Sequence, residues 1–492
     1  LSPTILTTRT IHKMSESSKE MPPPPEKHRR IRYDLYRGHP NMDMLPQLEI
    51  QSIMSDLLQE GEKDSWKRYL NYGANEGDER FRSALLSFLD RRTRNDDRGD
   101  HSYEDSMPAS PDEKKDALEH ELFITNGVSH GLELLCATCT KPGDEVWVER
   151  PSYFLAPKIF ESHGLVVKSL PMISDRTNDE NDRGDAIGRV DIDRLVHMVE
   201  EESVPPPKMM YIIPSYHNPT GTLMTVEERR RLASFAVRNG VLIAADEVYH
   251  LLDWEQGGNR EMNLPSRRPA GMINFNGICE KASTLTTNGN QREKHHEGRS
   301  GCCISVSSFT KIWAPGIRLG WIHAPSFIIE RLKNYGYIDS QGGVAPFMGE
   351  IMKQAIELGL LDSYLDKLKS EYSERYELVY NMLKEEPRLS IAQNCQVRRQ
   401  GGYFIWVQFP PGINSNEFLS YSIDKYEVKF MAGGRCDPFP SSKGGASGIA
   451  IRSCARLCFA DLDRDNLVNA TEAFLESFRS YMKSIDKCEF NI

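Results

Sequence analysis

Short apolar runs alternate with helical patterns through the middle of the chain. The runs EVWV (145–148), MMYII (209–213) and VLIAA (241–245) are continuous, as expected of strands that are buried on both faces. A pattern of helical period occupies 226–240, between two of these runs. The alternation predicts an α/β domain with a mainly parallel sheet.

Polar residues follow each of the predicted strands. In chain order they are Pro151 to Tyr153, Ser215 to Gly221, Asp246 to Tyr249, and Ser308 with Lys311. Ligands of parallel sheets bind beyond the carboxyl ends of the strands. We therefore expect these residues to lie at the same end of the sheet and to form a site there.

The pattern changes beyond about residue 335. Amphipathic helices over roughly 345–385 lead to the strand-like run GGYFIWVQF (401–409), and a further helix is predicted near 464–483. These elements predict a smaller α+β domain over 335–492, which follows a large domain over 66–334.

Several segments are too polar to join a core. Residues 1–30, with four consecutive prolines, are predicted to be a flexible arm, and 91–118, 173–188 and 255–300 to be surface insertions. The last insertion directly precedes the segment around Lys311, so a lid over the site is the alternative interpretation.

Composition and charge narrow the classes of function. The chain has 492 residues, of which 39% are hydrophobic and 27% charged, as is ordinary for a globular protein of two packed domains. A net charge of −10 argues against general binding to nucleic acid or to an anionic membrane. No apolar run approaches the roughly 20 residues that span a bilayer. No metal site is predicted.

The ten cysteines are scattered, and their spacing suggests no disulfide framework, which favours a reducing compartment. We expect a cytoplasmic protein. The first 13 residues carry hydroxyl and basic side chains but no acid, so a mitochondrial location is the alternative. Cys136 and Cys139 form a C-x-x-C in an apolar helical run, where small core residues are expected rather than a redox or metal half-site.

Residues 307–321, SSFTKIWAPGIRLGW, carry the most specific chemistry in the chain. Ser308 precedes Lys311 by three positions, a Pro-Gly turn follows, and Arg318 comes seven positions after the lysine. A site for pyridoxal phosphate (PLP) needs an amine for a Schiff base, and a hydroxyl and a guanidinium for the phosphate. The alternative is a solvated basic loop, but apolar runs on both sides place the segment between buried strands.

This segment resembles the one around the Schiff-base lysine of the class I/II aminotransferases, and the resemblance extends from about Tyr33 to about Phe478. The motifs are most similar in style to those of the 2-aminoadipate and kynurenine aminotransferases. The resemblance implies fold type I of the PLP-dependent transferases, with a large domain built on a mainly parallel seven-stranded sheet and a smaller α+β domain. Residues 31–65 are then expected to pack with the small domain. Thr310 departs from the family pattern, in which Ser, Ala or Gly is commoner before the lysine.

The resemblance also implies roles for the polar motifs. Gly127, Val128 and Ser129 open a predicted helix and would hold the phosphate, because a helix N-terminus offers free N–H groups and a positive dipole end. Asp246 would pair with the protonated pyridine nitrogen, since a carboxylate that ends an apolar strand needs a partner.

Aromatic and amide residues complete the cofactor site that the resemblance implies. Tyr153 would stack on the pyridine ring. Asn218 and Tyr249 would hydrogen-bond the phenolic oxygen of the cofactor.

Contacts to the substrate and to a second subunit follow from the same resemblance. Arg456 would bind the substrate α-carboxylate, which suits the bidentate geometry of a guanidinium, with Arg452 as the alternative. Gly38 would edge the substrate pocket, and Asn218 would contact the substrate as well. Tyr72, in YGANEG, would reach the phosphate of a neighbouring subunit, which implies a homodimer with shared sites.

Together these assignments imply a PLP-dependent aminotransferase that works by a ping-pong mechanism through a Lys311 Schiff base. The alternative with the same residues is a C–S lyase or an enzyme like aminocyclopropane-carboxylate synthase. A transcription regulator with an aminotransferase-like domain is disfavoured, because only about 30 residues precede Tyr33. The amino donor is not identified, although the motif style favours the 2-aminoadipate, kynurenine, aromatic or branched-chain group.

Overall fold

The computed structural model describes residues 31–59, 67–94, 122–173, 188–255, 270–276, 302–392, 399–439 and 450–489. In chain order the strands are β1 (Tyr33–Asp34), β2 (Leu122–Thr125), β3 (Glu145–Val148), β4 (Val166–Ser169), β5 (Met209–Ile212), β6 (Leu242–Asp246), β7 (Asp253–Glu255), β8 (Cys303–Ser308), β9 (Gly320–His323), β10 (Ser390–Ile391), β11 (Arg399–Gly401), β12 (Phe404–Gln408), β13 (Val428–Lys429), β14 (Met431–Ala432) and β15 (Cys454–Cys458). The helices are α1 (Gln47–Gln59), α2 (Glu79–Arg94), α3 (Val128–Cys139), α4 (Ala156–Ser162), α5 (Ile192–Val196), α6 (Val226–Asn239), α7 (Ser326–Lys333), α8 (Gly336–Gln341), α9 (Pro346–Glu357), α10 (Leu360–Lys384), α11 (Ser415–Tyr426) and α12 (Arg464–Glu489).

Seven strands form the main sheet, in the order β2-β9-β8-β6-β5-β3-β4. Strand β9 runs antiparallel to both of its neighbours, and the other pairs are parallel. The predicted α/β architecture with a mainly parallel sheet is therefore confirmed. Because β8, β6, β5 and β3 are neighbours and parallel, the loops that follow them meet at the same edge of the sheet.

Helices cover both faces of this sheet. Met209 and Tyr211 of β5 face the layer of α3, α4 and α7, whereas Met210 and Ile212 face the layer of α5 and α6. Successive strand residues point to opposite faces, so an unbroken apolar run is what a strand covered on both faces requires. Cys136 and Cys139 lie buried in α3, as the sequence predicts.

A second sheet lies in the C-terminal part of the chain, in the order β10-β12-β15-β14 and antiparallel throughout. Helices α10, α11 and α12 pack on it around a set of aromatic rings that includes Phe409, Phe418 and Phe474. The N-terminal segment belongs to this layer, because β1 pairs with β13 and the Cys458 N–H donates to the Leu35 carbonyl. The domain boundary near residue 334 stays a prediction.

The strands β7 and β11 form a two-stranded antiparallel ribbon between the two sheets. The ribbon continues through a hydrogen bond from the Gly402 N–H to the Leu252 carbonyl. The next residue, Tyr403, donates its hydroxyl to the Lys311 carbonyl at 2.9 Å. The C-terminal part of the chain thus contacts the lysine segment directly.

The prediction that all of 255–300 is a polar surface insertion is wrong at two places. Glu255 ends β7, and residues 270–276 pack in the core, where Met272 and Phe275 are buried. The Arg229 guanidinium donates to the Ala270 carbonyl, and the Met272 N–H donates to Glu247 Oε1. The buried ion pair between Arg229 and Glu247 therefore binds this stretch to the core. Its polar flanks made the whole segment resemble a surface loop in the sequence.

The other polar segments also begin or end differently from the prediction. Helix α2 continues to Arg94, inside the proposed insertion at 91–118. Residues 173 and 188, at the two ends of the proposed insertion at 173–188, lie next to the Met172–Val190 bridge. The arm at 1–30 and the remaining parts of the three insertions lie outside the described residues. No described helix is long and apolar enough to cross a membrane.

Candidate active site

Lys311 follows β8 and is half-buried between the main sheet and the C-terminal part of the chain. Its Nζ donates to the Gly38 carbonyl at 2.6 Å and lies 5.2 Å from the centre of the Tyr403 ring. Burial lowers the pKa of the ammonium group to about 8, and the nearby Arg456 acts in the same direction, whereas Asp246 opposes it. The lowered pKa leaves more neutral amine near neutral pH than an ordinary lysine has, and the neutral form is what acts as a nucleophile or base.

Asp246 ends β6 and is buried. Its Oδ2 accepts a hydrogen bond of 2.9 Å from the Tyr211 hydroxyl, and the Val248 N–H approaches Oδ1 at 3.4 Å. Burial raises the pKa of the carboxyl to about 6, and the bond from Tyr211 opposes this rise. A carboxylate held in such surroundings is stabilised by a cationic partner, and a protonated ring nitrogen is one.

Three donor groups converge beside Gly127, which caps the N-terminus of α3 with a φ of +93°. A Cβ at Gly127 would lie 3.5 Å from Ser308 Oγ, 3.7 Å from Arg318 Nη2 and 4.0 Å from Thr310 Oγ1. The space that the missing side chain leaves is therefore bordered by two hydroxyls, a guanidinium and the positive end of a helix. This combination binds a phosphate.

The two other residues predicted to bind the phosphate, Val128 and Ser129, lie at the N-terminus of α3. Val128 and Ser129 are the first residues of α3, whose initial N–H groups have no partner within the helix. Thr310, which departs from the family pattern, contributes its hydroxyl 2.7 Å from Ser308 Oγ. Thr310 was not predicted to belong to the cofactor site, although a hydroxyl two residues after Ser308 was a signal for it.

Arg456 lies on β15 and reaches the same region from the C-terminal sheet. Its Nη1 donates to Asn218 Oδ1 at 2.9 Å and its Nη2 to the Tyr36 carbonyl at 2.7 Å. The guanidinium carbon lies 3.9 Å from the centre of the Phe404 ring, and the buried Nε finds no hydrogen-bond partner among the described residues. Arg452, the alternative residue, is exposed before β15 begins.

Two tyrosines flank this region. Tyr249 is buried, with its ring centre 5.3 Å from that of Tyr403 and 5.8 Å from that of Phe404. Tyr153 is half-buried, and its ring meets Phe154 edge-on at 5.5 Å. Burial raises the pKa of Tyr153, and the charge of Asp246 adds to the rise. Both phenols therefore remain hydrogen-bond donors at neutral pH.

Tyr72 is not part of this cluster within the single chain. Its side chain is 83% exposed, although the adjacent Gly73 is tied down by a 2.6 Å hydrogen bond to the Gly342 carbonyl. The structure thus brings together the predicted cofactor and substrate residues, including Gly38, but leaves Tyr72 in solvent. Among the described residues, no cluster of side chains suited to a metal ion is found.

The residues present fit PLP on chemical grounds. The Gly127 cradle would be filled by a single added Cβ, which leaves it open to an anionic group. Asp246 offers a buried carboxylate for a ring nitrogen, and Lys311 offers an amine with a lowered pKa for an aldehyde. The unpaired Nε of Arg456 offers a further donor for a carboxylate.

Similar proteins are found both among known sequences and among solved structures. The sequence model of the family described as aminotransferase class I and II matches residues 44–474. An uncharacterized protein of Saccharomyces cerevisiae is 24% identical over 90% of this chain and 95% of its own length. A 2-aminoadipate transaminase of Thermus thermophilus is 24% identical over 70% of this chain and 72% of its own.

The solved structure of an α-aminoadipate aminotransferase from Thermus thermophilus, complexed with N-(5'-phosphopyridoxyl)-L-leucine, is similar to this structure. The match covers 92% of each chain with a TM-score of 0.65 at 19% identity. The likeness confirms the predicted fold type I.

Proposed function

Since the chain belongs to the class I and II aminotransferases and is therefore a PLP-dependent transaminase, we propose that it moves an amino group between an L-amino acid and a 2-oxo acid in a ping-pong reaction centred on Lys311. One arrangement carries the proposal. The Lys311 amine, the Asp246 carboxylate and the Arg456–Asn218 pair come from different strands and meet at the same edge of the main sheet.

PLP, when bound, supplies an aldehyde that condenses with amines and a ring that accepts the charge developing at the substrate Cα. Lys311 is the base that takes the proton from Cα, and a pKa of about 8 suits it to taking and returning a proton near neutral pH. Arg456 binds the substrate carboxylate with the donors that face away from Tyr36 and Asn218. Gly127, Ser308, Thr310 and Arg318 would hold the phosphate of the cofactor.

The apolar walls beside Arg456 support a donor with a large side chain. Tyr36 and Phe154 pack on a small cluster around Trp406 and Met431, next to the arginine. The Thermus relative is a 2-aminoadipate transaminase, and 2-aminoadipate is one of the donors of this group. We therefore propose a donor from the 2-aminoadipate, kynurenine, aromatic or branched-chain group. The cytoplasmic location stays a prediction, which fractionation of cells would test.

A homodimer that shares residues between its sites is part of the proposal. Met42, Leu48, Leu70 and Tyr72 are all more than 60% exposed in the single chain, and a second subunit would cover apolar side chains of this kind. Mixing two inactive variants tests whether Tyr72 serves the partner. If Tyr72→Ala and Lys311→Ala subunits recombine, one intact site per hybrid dimer restores part of the activity. No recovery, with exchange verified by mass, would place Tyr72 outside the partner's site.

The absorption spectrum of the purified protein with added PLP tests the reaction itself. We expect a visible cofactor band that a suitable amino acid bleaches, that a 2-oxo acid restores, and that Lys311→Ala lacks. Release of ammonia or of a thiol together with an unbleached band would support the lyase or synthase alternative. Absence of any cofactor band would contradict the proposal as a whole.

A further inference from the structure

Tyr211 is a buried group next to the active site that the reaction scheme above does not use. It lies in the middle of the main sheet, on β5, and is fully buried. Its ring packs edge-on against Phe160 at 5.5 Å between centres, which fixes the direction of the phenol. The hydroxyl donates to Asp246 Oδ2 at 2.9 Å.

The surroundings of Asp246 make this bond important. The other hydrogen bond to the carboxylate that the described residues supply, from the Val248 N–H, is 3.4 Å long and therefore weak. Charged and titratable groups face the carboxylate from two further elements, Lys311 after β8 and Tyr153 after β3, and from its own, Glu247 and Tyr249 after β6. None of them gives Asp246 a short bond in the described part of the chain.

We propose that Tyr211 is a positioning residue for the cofactor, which holds Asp246 ionised and leaves its Oδ1 directed at the pyridine nitrogen. The inference rests on the proposed function, since it requires PLP to bind at Asp246. Tyr211 acts through the carboxylate and touches no reacting atom. Its effect is to keep the shared proton on the ring nitrogen rather than on Asp246.

The electrostatics support this role. A hydroxyl donor to a carboxylate stabilises the ionised form, and the bond from Tyr211 opposes the effect of burial on the pKa of Asp246. Burial, with Asp246 beside it, raises the pKa of Tyr211 well above its usual range, so the phenol stays a donor throughout the working range of pH. Without the hydroxyl, only the long bond from the Val248 N–H and the charge of Lys311 would oppose the effect of burial, and the affinity of Asp246 for the proton would rise.

Nitrogen-15 NMR of the holoenzyme loaded with ring-labelled PLP tests the inference. In wild type we expect the pyridine nitrogen to be protonated at neutral pH. In Tyr211→Phe we expect the signal at neutral pH to move toward the unprotonated position, because more of the shared proton resides on Asp246, by roughly tenfold in the ratio of the two forms. The kcat should fall with it, while the KM for the amino acid changes little, because Arg456 is untouched.

Two comparisons decide between a positioning role and a merely structural one. Tyr421→Phe removes the hydroxyl of a half-buried tyrosine elsewhere, bonded to Ser480 Oγ at 2.8 Å between α11 and α12, and should leave the nitrogen signal unchanged. In the apo-protein, infrared titration of the Asp246 carboxyl, identified by its loss in Asp246→Asn, should give a higher pKa in Tyr211→Phe than in wild type. This second readout requires neither cofactor nor activity.

An unchanged nitrogen titration together with an unchanged Asp246 pKa in Tyr211→Phe would overturn the inference. If wild type itself does not bind PLP with a protonated ring nitrogen, the proposed function fails instead. Incorporation of 3-fluorotyrosine at 211 keeps the shape and strengthens the donor, so it should shift both titrations in the opposite direction to Tyr211→Phe. A shift in the same direction would count against the inference even if the phenylalanine variant does not fold.

Discussion

The Nζ of Lys311 donates to the Gly38 carbonyl at 2.6 Å, although 273 residues separate the two in the chain. A backbone carbonyl carries only a partial negative charge. It therefore accepts a hydrogen bond from the amine but stabilises the ammonium form less than a carboxylate would. Burial then dominates and lowers the pKa to about 8. The same carbonyl places the N-terminal segment directly over the reactive nitrogen.

Lys311→Met should stabilise the apo-protein at neutral pH. The unfolded lysine titrates near 10.5 and the folded one at about 8, so the unfolded chain binds more protons between these values and the wild type gains stability as the pH rises. We expect the variant to be more stable by about 3 kcal/mol at pH 7, and this advantage to vanish near pH 10.5. Urea unfolding of both apo-proteins across this range measures the difference. A difference that does not depend on pH would contradict the lowered pKa.

Arg456→Met should weaken the binding of the substrate α-carboxylate. We expect kcat/KM for the amino acid to fall roughly 100-fold or more, because a buried guanidinium that pairs with a charged group is lost. Arg452→Met removes an exposed arginine from the same stretch of chain and should have little effect. Kinetics with the corresponding amine, which lacks the carboxylate, provide the sharper comparison. If Arg456→Met loses as much activity toward the amine as toward the amino acid, the arginine does not bind the carboxylate.

Gly127→Ala should weaken the binding of PLP by at least about tenfold, since the new methyl group would enter the phosphate cradle. Its positive φ should also cost about 1 kcal/mol of stability. Gly143→Ala is the matched control, because Gly143 has a φ of +90° and open space where its Cβ would stand. Both variants should lose similar stability in the apo form. Equal PLP affinities in the two, measured by fluorescence titration, would remove Gly127 from the phosphate site.

Arg229→Met should destabilise the protein by about 3–5 kcal/mol, because it leaves the Glu247 carboxylate buried without its cation. Arg229 also donates to the Pro214 carbonyl and to Ser215 Oγ, so the loop that carries Asn218 loses support as well. The double variant Arg229→Met with Glu247→Gln should recover part of the loss. Urea unfolding measures all three proteins. A double variant less stable than Arg229→Met would show that the charge of Glu247 is not the cause.

Much of the fold was predictable because its strands are covered on both faces. Such strands appear as unbroken apolar runs, and the polar residues that end them stand out against that background. The positions of Asp246 and Lys311 could therefore be inferred together, since parallel neighbours deliver their C-terminal residues to one edge.

Residues that act through tertiary contacts were harder to predict. Tyr211 lies inside an apolar run and has the appearance of a core residue, because its hydroxyl finds Asp246 only when β5 and β6 pair. Gly38 acts through its carbonyl, which any residue carries. Residues 270–276 are a short apolar turn in polar surroundings, and the Arg229–Glu247 pair that secures them comes from elsewhere in the chain.

The ribbon of β7 and β11 has a mechanical consequence. Backbone hydrogen bonds of this short ribbon connect the chain after the main sheet to the chain that enters the C-terminal sheet. Directly after the ribbon, the Tyr403 hydroxyl donates to the Lys311 carbonyl. A displacement of one sheet relative to the other would therefore strain these hydrogen bonds together with the bond from Tyr403 to the lysine segment.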